Sequence, residues 1–203
     1  MTRLILVRHG ETDWNVEGRW QGQSDVPLNA RGQQQAEQVA RVLAGYGLSA
    51  IYSSDLARAS LTAEAIAQAT GLPVHRESRL REIDQGEWQG MLIGDIQARY
   101  ADTFRRRHSD PWMVAPPGGE TALQVRQRVL SAVDEILHRH TGETVAVVSH
   151  GFSLAVIIAH YRGIPITQVW DLIPGNCDIV ELEVPELSPS NSPSPQREWQ
   201  DKP

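Results

Sequence analysis

The stretch LILVRHGETDWN, Leu4 to Asn15, begins as an unbroken apolar run and turns within one residue into Arg8-His9-Gly10. A short run rich in branched aliphatics is the pattern of a strand buried on both faces of a parallel sheet. Two cationic side chains at its end fit poorly in a core. They do fit the place where open α/β sheets carry their ligand crevice, beyond the carboxyl ends of the strands. The run VAVVSHG, Val145 to Gly151, has the same layout, with apolar strand residues followed by His150-Gly151. A lone histidine at a strand end is ordinarily structural, whereas two in matching contexts predict one shared site.

Working outward, Ile51 to Ser53 reads as a weaker third strand and Asn176 to Val184 as a last one. Helical patterns lie between them. Ala36, Val39, Ala40 and Leu43 recur at three and four residues behind Asn29, a capping residue type. Leu56, Ala59, Ala63, Ile66 and Ala67 do so behind Ser54. Val125, Val129, Ala132, Val133 and Ile136 follow Thr121, with Gln124 completing a capping box. Alternating strands and helices predict a three-layer α/β/α sandwich around a mostly parallel mixed sheet. One domain over residues 1–184 is expected. Within it, residues 90–120, which end in the loop sequence PPGGE, read as an insert that caps one edge of the sheet. From Pro185 onward the chain is rich in proline and serine with no apolar period, the composition of a flexible tail.

Composition narrows the partners. The 203 residues are 40% hydrophobic and 22% charged, with a formal net charge of −6. Such a chain repels phosphate backbones and anionic membrane surfaces, so neither nucleic acid nor membrane is an expected partner. Any bound anion must be drawn by a local positive cluster. Cys177 is the only cysteine, which excludes an internal disulfide and points to a reducing, cytoplasmic compartment. The apolar runs Leu4 to Val7 and Leu154 to Ala159 are too short for a signal-peptide core or a membrane span. Apolar edge strands and six tryptophans are compatible with a homodimer, and Trp14, Trp20, Trp88 and Trp112 are equally suited to lining a cleft or its cap.

The positive cluster has two evident members. Arg8 precedes His9, and Arg58 falls in the first turn of the helix after Ser54, where the helix dipole disfavours a cation. A local preference overridden in this way is typical of a functional position. Two guanidiniums and two imidazoles around one point would bind a dianionic phosphoryl group, since planar N–H forks match phosphate oxygens. A neutral imidazole is a good nucleophile near pH 7, and covalent transfer divides one hard displacement into two easier ones. Nearby guanidiniums help keep His9 unprotonated and neutralise charge on the transferring group. An alkoxide leaves poorly without a proton donor, and Glu82, Asp84 and Glu87 are rivals for that role on spacing alone.

The segments RHGETDWN, YSSDLARASLTAEAI, LREIDQGEWQG and VVSHG resemble, in this order, the signatures of the histidine phosphatase superfamily, phosphoglycerate mutase-like branch. The resemblance implies that fold, with His9 as the nucleophile that becomes phosphohistidine. It implies that Arg8, Arg58 and His150 hold the phosphoryl oxygens, and it selects Glu82 as the proton donor. Asn15 and Gln21 match further phosphate-contacting positions, and Gly22 and Gly151, which adjoin matched residues, are expected with Gln85 to bind substrate. No cofactor and no metal are implied. A two-histidine, one-carboxylate metal site from His9, His150 and Glu82 is also disfavoured electrostatically, because Arg8 and Arg58 would repel a divalent cation.

These readings predict a metal-independent phosphatase of a small phosphorylated metabolite, with a phosphoglycerate mutase and a catalytically silent phosphate-binding regulatory module as alternatives. EIDQGEWQGML, FRRR and GGE resemble metal-independent phosphoserine phosphatases of the superfamily. Some members carry histidine where this chain has Gln85, a position close to Glu82 and to the non-phosphate end of a substrate. That departure bears on the substrate; the resemblance of the three motifs makes phosphoserine the first expectation, followed by phosphoglycerates and sugar phosphates. Arg105, Arg106 and Arg107 could attract a substrate carboxylate, although a run of charges is more often a solvated helix face.

Overall fold

A computed structural model describes residues 1–110 and 112–185. The proline- and serine-rich tail beyond Pro185 lies outside the described residues. Five strands, β1 (Thr2–Arg8), β2 (Ala50–Ser53), β3 (Val74–Arg76), β4 (Thr144–Ser149) and β5 (Ile179–Val184), form one sheet in the order β3-β2-β4-β1-β5. All neighbours are parallel except β5, which pairs antiparallel with β1. The helices are α1 (Asp13–Glu17), α2 (Ala30–Leu43), α3 (Ala57–Thr70), α4 (Ile93–Arg99), α5 (Ala101–Ser109), α6 (Ala122–Arg139) and α7 (Gly151–Arg162).

The strands are apolar on both faces because both faces are covered. On β1, Leu4 and Leu6 enter the core shared with α6 and α7, whereas Ile5 and Val7 enter the core shared with α2 and α3. On β4, Val145 and Val147 face the first core, and Ala146 and Val148 the second. The period of two thus distributes one continuous run between two hydrophobic layers. The α/β/α sandwich with a mostly parallel mixed sheet follows directly.

Helix starts differ from expectation at one informative place. Asn29 caps α2 by accepting from the Gly32 N–H at 2.8 Å, and Thr121 with Gln124 forms the capping box of α6. α3, however, starts at Ala57 behind Leu56 instead of behind Ser54; Leu56 offers no side-chain cap, and the Ala57 N–H donates to Asp25 Oδ1 at 2.7 Å instead. The Ser54 hydroxyl is engaged elsewhere, accepting from the Leu56 N–H at 3.3 Å and contacting His150. The last strand also begins later than Asn176, because Gly175 to Asp178 closes a turn in which the Asp178 N–H donates to the Gly175 carbonyl and the Asp178 carboxylate accepts from the Gly175 N–H.

Candidate active site

Register brings the two histidines together. Arg8 on β1 pairs with Ser149 on β4, and the His9 N–H donates to the Ser149 carbonyl at 3.0 Å. The next residue of each strand is a histidine, and the rings of His9 and His150 stand 5.2 Å apart, tilted by 58°. From this point β1 leads to α2 on one face of the sheet and β4 leads to α7 on the other. Chains diverging to opposite faces open a crevice at the strand ends.

His9 is 3% exposed, and its Nδ1 lies 2.7 Å from the Gly10 carbonyl. A carbonyl only accepts, so Nδ1 carries the proton and Nε2 keeps a lone pair. Burial, then the charges of Arg58 and Arg8, push this imidazole well below its ordinary pKa, against the opposing Gly10 bond. The ring is therefore neutral at pH 7. His150 is fully buried and is lowered in the same direction, first by burial and then by Arg58 and its other cationic neighbours.

Arg58 is also fully buried. Its two terminal nitrogens donate to the Ser24 and Gly22 carbonyls at 2.7 Å each, a clamp that fixes the guanidinium plane. Burial lowers it to about 10 while Glu82 and Asp25 pull it back up, so it remains a cation. Arg8 is held by a 2.6 Å bond to the Pro174 carbonyl. Around this point, among the described residues, Arg8 Nε, Arg58 Nε and His150 Nδ1 are buried with no partner. An unpaired buried donor costs about 1–3 kcal/mol, so a group of them implies an acceptor that completes the set. A tetrahedral oxyanion satisfies that need.

Glu82 reaches the same point from the loop after β3. Its carboxylate accepts from the Phe152 and Ser153 N–H groups at 3.0 and 3.2 Å, in the first turn of α7, where His150 itself supplies no side-chain cap. Gly151 makes this approach possible. A Cβ there would come 2.9 Å from Ile173 and 3.6 Å from both Arg8 Cζ and Glu82 Oε2.

The cleft encloses about 310 Å³. Of the residues singled out from sequence, Arg8, His9, Asn15, Gln21, Gly22, Arg58, Glu82, Gln85 and Gly151 all line it. His150 is not among the lining residues; its ring stands 5.2 Å from that of His9. Asn15 turns its amide oxygen to the Thr12 N–H at 3.1 Å, leaving its NH2 edge for the cleft. The rivals of Glu82 lie outside the lining: Asp84 accepts from the Gly86 N–H and Glu87 from the Tyr100 hydroxyl.

Sequence reasoning missed most of the apolar wall. Trp14 and Trp20 line the cleft, but so do Ile93, Phe152, Trp170 and Ile173. Trp88 is wholly buried against Trp20, and Trp112 packs on the core beside α6 and α7. It also left the three arginines of α5 unresolved. Arg105 pairs with Asp102 on the surface, Arg106 is exposed, and Arg107 is buried. Among the described residues no group of three or more His, Cys, Asp or Glu side chains is arranged to hold a metal ion, and none of the helices is long and apolar enough to cross a membrane.

A phosphoryl-sized anion site built on paired histidines at a topological switch point marks a class. A sequence profile of the histidine phosphatase superfamily, branch 1, matches residues 4–190, and the chain belongs to that superfamily. It is 40% identical over 91% of its length to phosphoserine phosphatase 1 of Hydrogenobacter thermophilus, covering 86% of that protein. It is 38% identical over 92% of its length to a probable phosphoglycerate mutase GpmB of Salmonella paratyphi B, again covering 86%. Among solved structures, a mycobacterial glucosyl-3-phosphoglycerate phosphatase in complex with VO3 superposes with a TM-score of 0.82 at 35% identity, over 89% of this chain and 90% of that one. Phosphomonoesterase is the enzyme class these relationships support.

Proposed function

We propose that the protein hydrolyses a small phosphorylated metabolite, without a metal, through a phosphohistidine on His9. The observation that carries this reading is the Nδ1 contact to the Gly10 carbonyl, which presents the Nε2 lone pair beside the unpaired donors of Arg8, Arg58 and His150. In the first step Nε2 attacks phosphorus, the P–N bond forms, the ester P–O bond breaks, and Glu82 gives its proton to the leaving alkoxide. In the second, water gives a proton to Glu82 and attacks phosphorus, the P–N bond breaks, and inorganic phosphate departs. Arg8 and Arg58 offset the charge on the equatorial oxygens throughout, and neutral His150 donates a hydrogen bond.

Phosphoserine is the preferred substrate in this reading, supported by the 40% identity to a phosphoserine phosphatase; phosphoglycerates and sugar phosphates follow. The 38% identity to a probable phosphoglycerate mutase supports a second reading. There the phosphoryl group passes from His9 to another hydroxyl of a bound bisphosphate before water intervenes. Phosphate release from phosphoserine, the phosphoglycerates and sugar phosphates, measured beside a mutase assay with bisphosphate primer and in excess chelator, separates the two. Release that persists in chelator is expected. Activity lost in chelator and restored by zinc or manganese contradicts the metal-free mechanism, and isomerisation without release favours the mutase.

A further inference from the structure

Arg107 is 2% exposed, yet among the described residues no carboxylate forms an ion pair with it, and Glu82 acts on it only through its charge. One terminal nitrogen donates to Gln85 Oε1 at 2.8 Å and the other is buried without a partner. Its Cζ stands 5.2, 5.4 and 5.5 Å from the ring centres of Trp20, Trp170 and Trp88. Such a cage stabilises a desolvated cation but leaves its charge uncancelled. An unpaired buried charge is expensive and unusual without a use.

Two features show what that use is. The Gln85 amide oxygen is taken by Arg107, so its NH2 edge is left for the cleft that Gln85 lines. Charge is also out of balance there. Among the described residues Glu82 is the only carboxylate lining the cleft, and the aspartates that reach Arg58 and Arg8, Asp25 and Asp178, are exposed. A phosphoryl dianion offsets Arg8 and Arg58. With Glu82 protonated as the acid, the charge of Arg107 remains unmatched.

We propose that Arg107 is a specificity-determining positioning residue. Fixed in its tryptophan cage, it holds the Gln85 amide with the NH2 edge toward the cleft and so selects phosphomonoesters whose leaving group carries a carboxylate. The proposal rests on the phosphatase reading of the cleft and narrows its substrate class.

The test compares 3-phosphoglycerate with glycerol 3-phosphate, which differ by carboxylate against hydroxymethyl and leave as similar alkoxides. Wild type is expected to favour the carboxylate ester in kcat/KM. Arg107→Met and Gln85→Met should each cut that preference about tenfold, equivalent to about 1.4 kcal/mol, mainly through KM. Because Arg107 acts through Gln85, the double variant should lose little more than either single one. Arg107→Lys, which keeps the charge but not the planar fork, should fall between. If Arg107→Met has no cooperative melting transition, Gln85→Met and Arg107→Lys carry the test. A wild-type preference for glycerol 3-phosphate, equal losses on both esters, or single losses that multiply in the double variant would overturn the proposal. Wild type that releases phosphate from phosphoserine but from neither ester would also overturn the proposal, whereas release from none of the three would remove the phosphatase reading, and the proposal with it.

Discussion

His150 Nε2 lies 2.8 Å from the hydroxyl of Ser54, a residue at the end of the neighbouring strand β2. Ser54 Oγ accepts the Leu56 N–H and has its own proton free to donate to Nε2. A neutral His150 then carries its hydrogen on Nδ1, the nitrogen left without a partner. One serine thereby fixes which edge of the buried imidazole is the donor.

Ser54→Ala is expected to free the other tautomer and lower kcat/KM about tenfold or more, the scale of one lost hydrogen bond to a charged group. Steady-state kinetics with a melting curve checks this. Unchanged kinetics in a folded variant contradicts the tautomer assignment.

Glu82→Gln should slow alkyl phosphates by about 10²-fold or more, the range of general acid catalysis, while p-nitrophenyl phosphate, whose leaving group needs little protonation, loses far less. Parallel losses on both would assign the proton to another group.

Acid should destabilise the fold in a defined window. His9 and His150 are held below the ordinary histidine pKa by burial, as is His160. The unfolded chain therefore binds more protons than the native state once the pH falls below about 6.5, and stability present above that point declines. Each group contributes at most about 1.4 kcal/mol per pH unit. Urea unfolding at pH 7 and pH 5.5 should show the decline, with a shallower one in His9→Ala. The lowered carboxylates Asp55, Glu77 and Glu135 act in the same direction but at lower pH. Equal stability at pH 7 and 5.5 would contradict neutral, buried imidazoles.

Much of this was legible because several residues each obey one strong local rule. The run Leu4 to Val7 fits only a strand buried on two sides, and Asn29 and Thr121 each cap a helix with a buried stripe. α7 was hidden for the opposite reason. Phe152 to Ala159 are all buried, so the helix has no polar face to give it a period. β3 spans three residues and carries no buried apolar side chain. The start of α3 was misplaced because Ser54 looks like a cap but is used by His150. Arg107 was indistinguishable from Arg105 and Arg106, since its burial depends on Trp20, Trp88 and Trp170, which come together only in the folded chain. Phe104, one turn earlier on α5 and packed on Trp20 and Trp88, was the single local sign that this face points inward.

The most direct measurement is to mix the protein briefly with ³²P-labelled phosphoserine, quench, and locate the label. Base-stable, acid-labile phosphate on His9 is expected, absent in a folded His9→Ala variant that no longer turns over. Label on a serine or a carboxylate, or turnover by His9→Ala at the wild-type rate, would contradict a nucleophilic imidazole at residue 9.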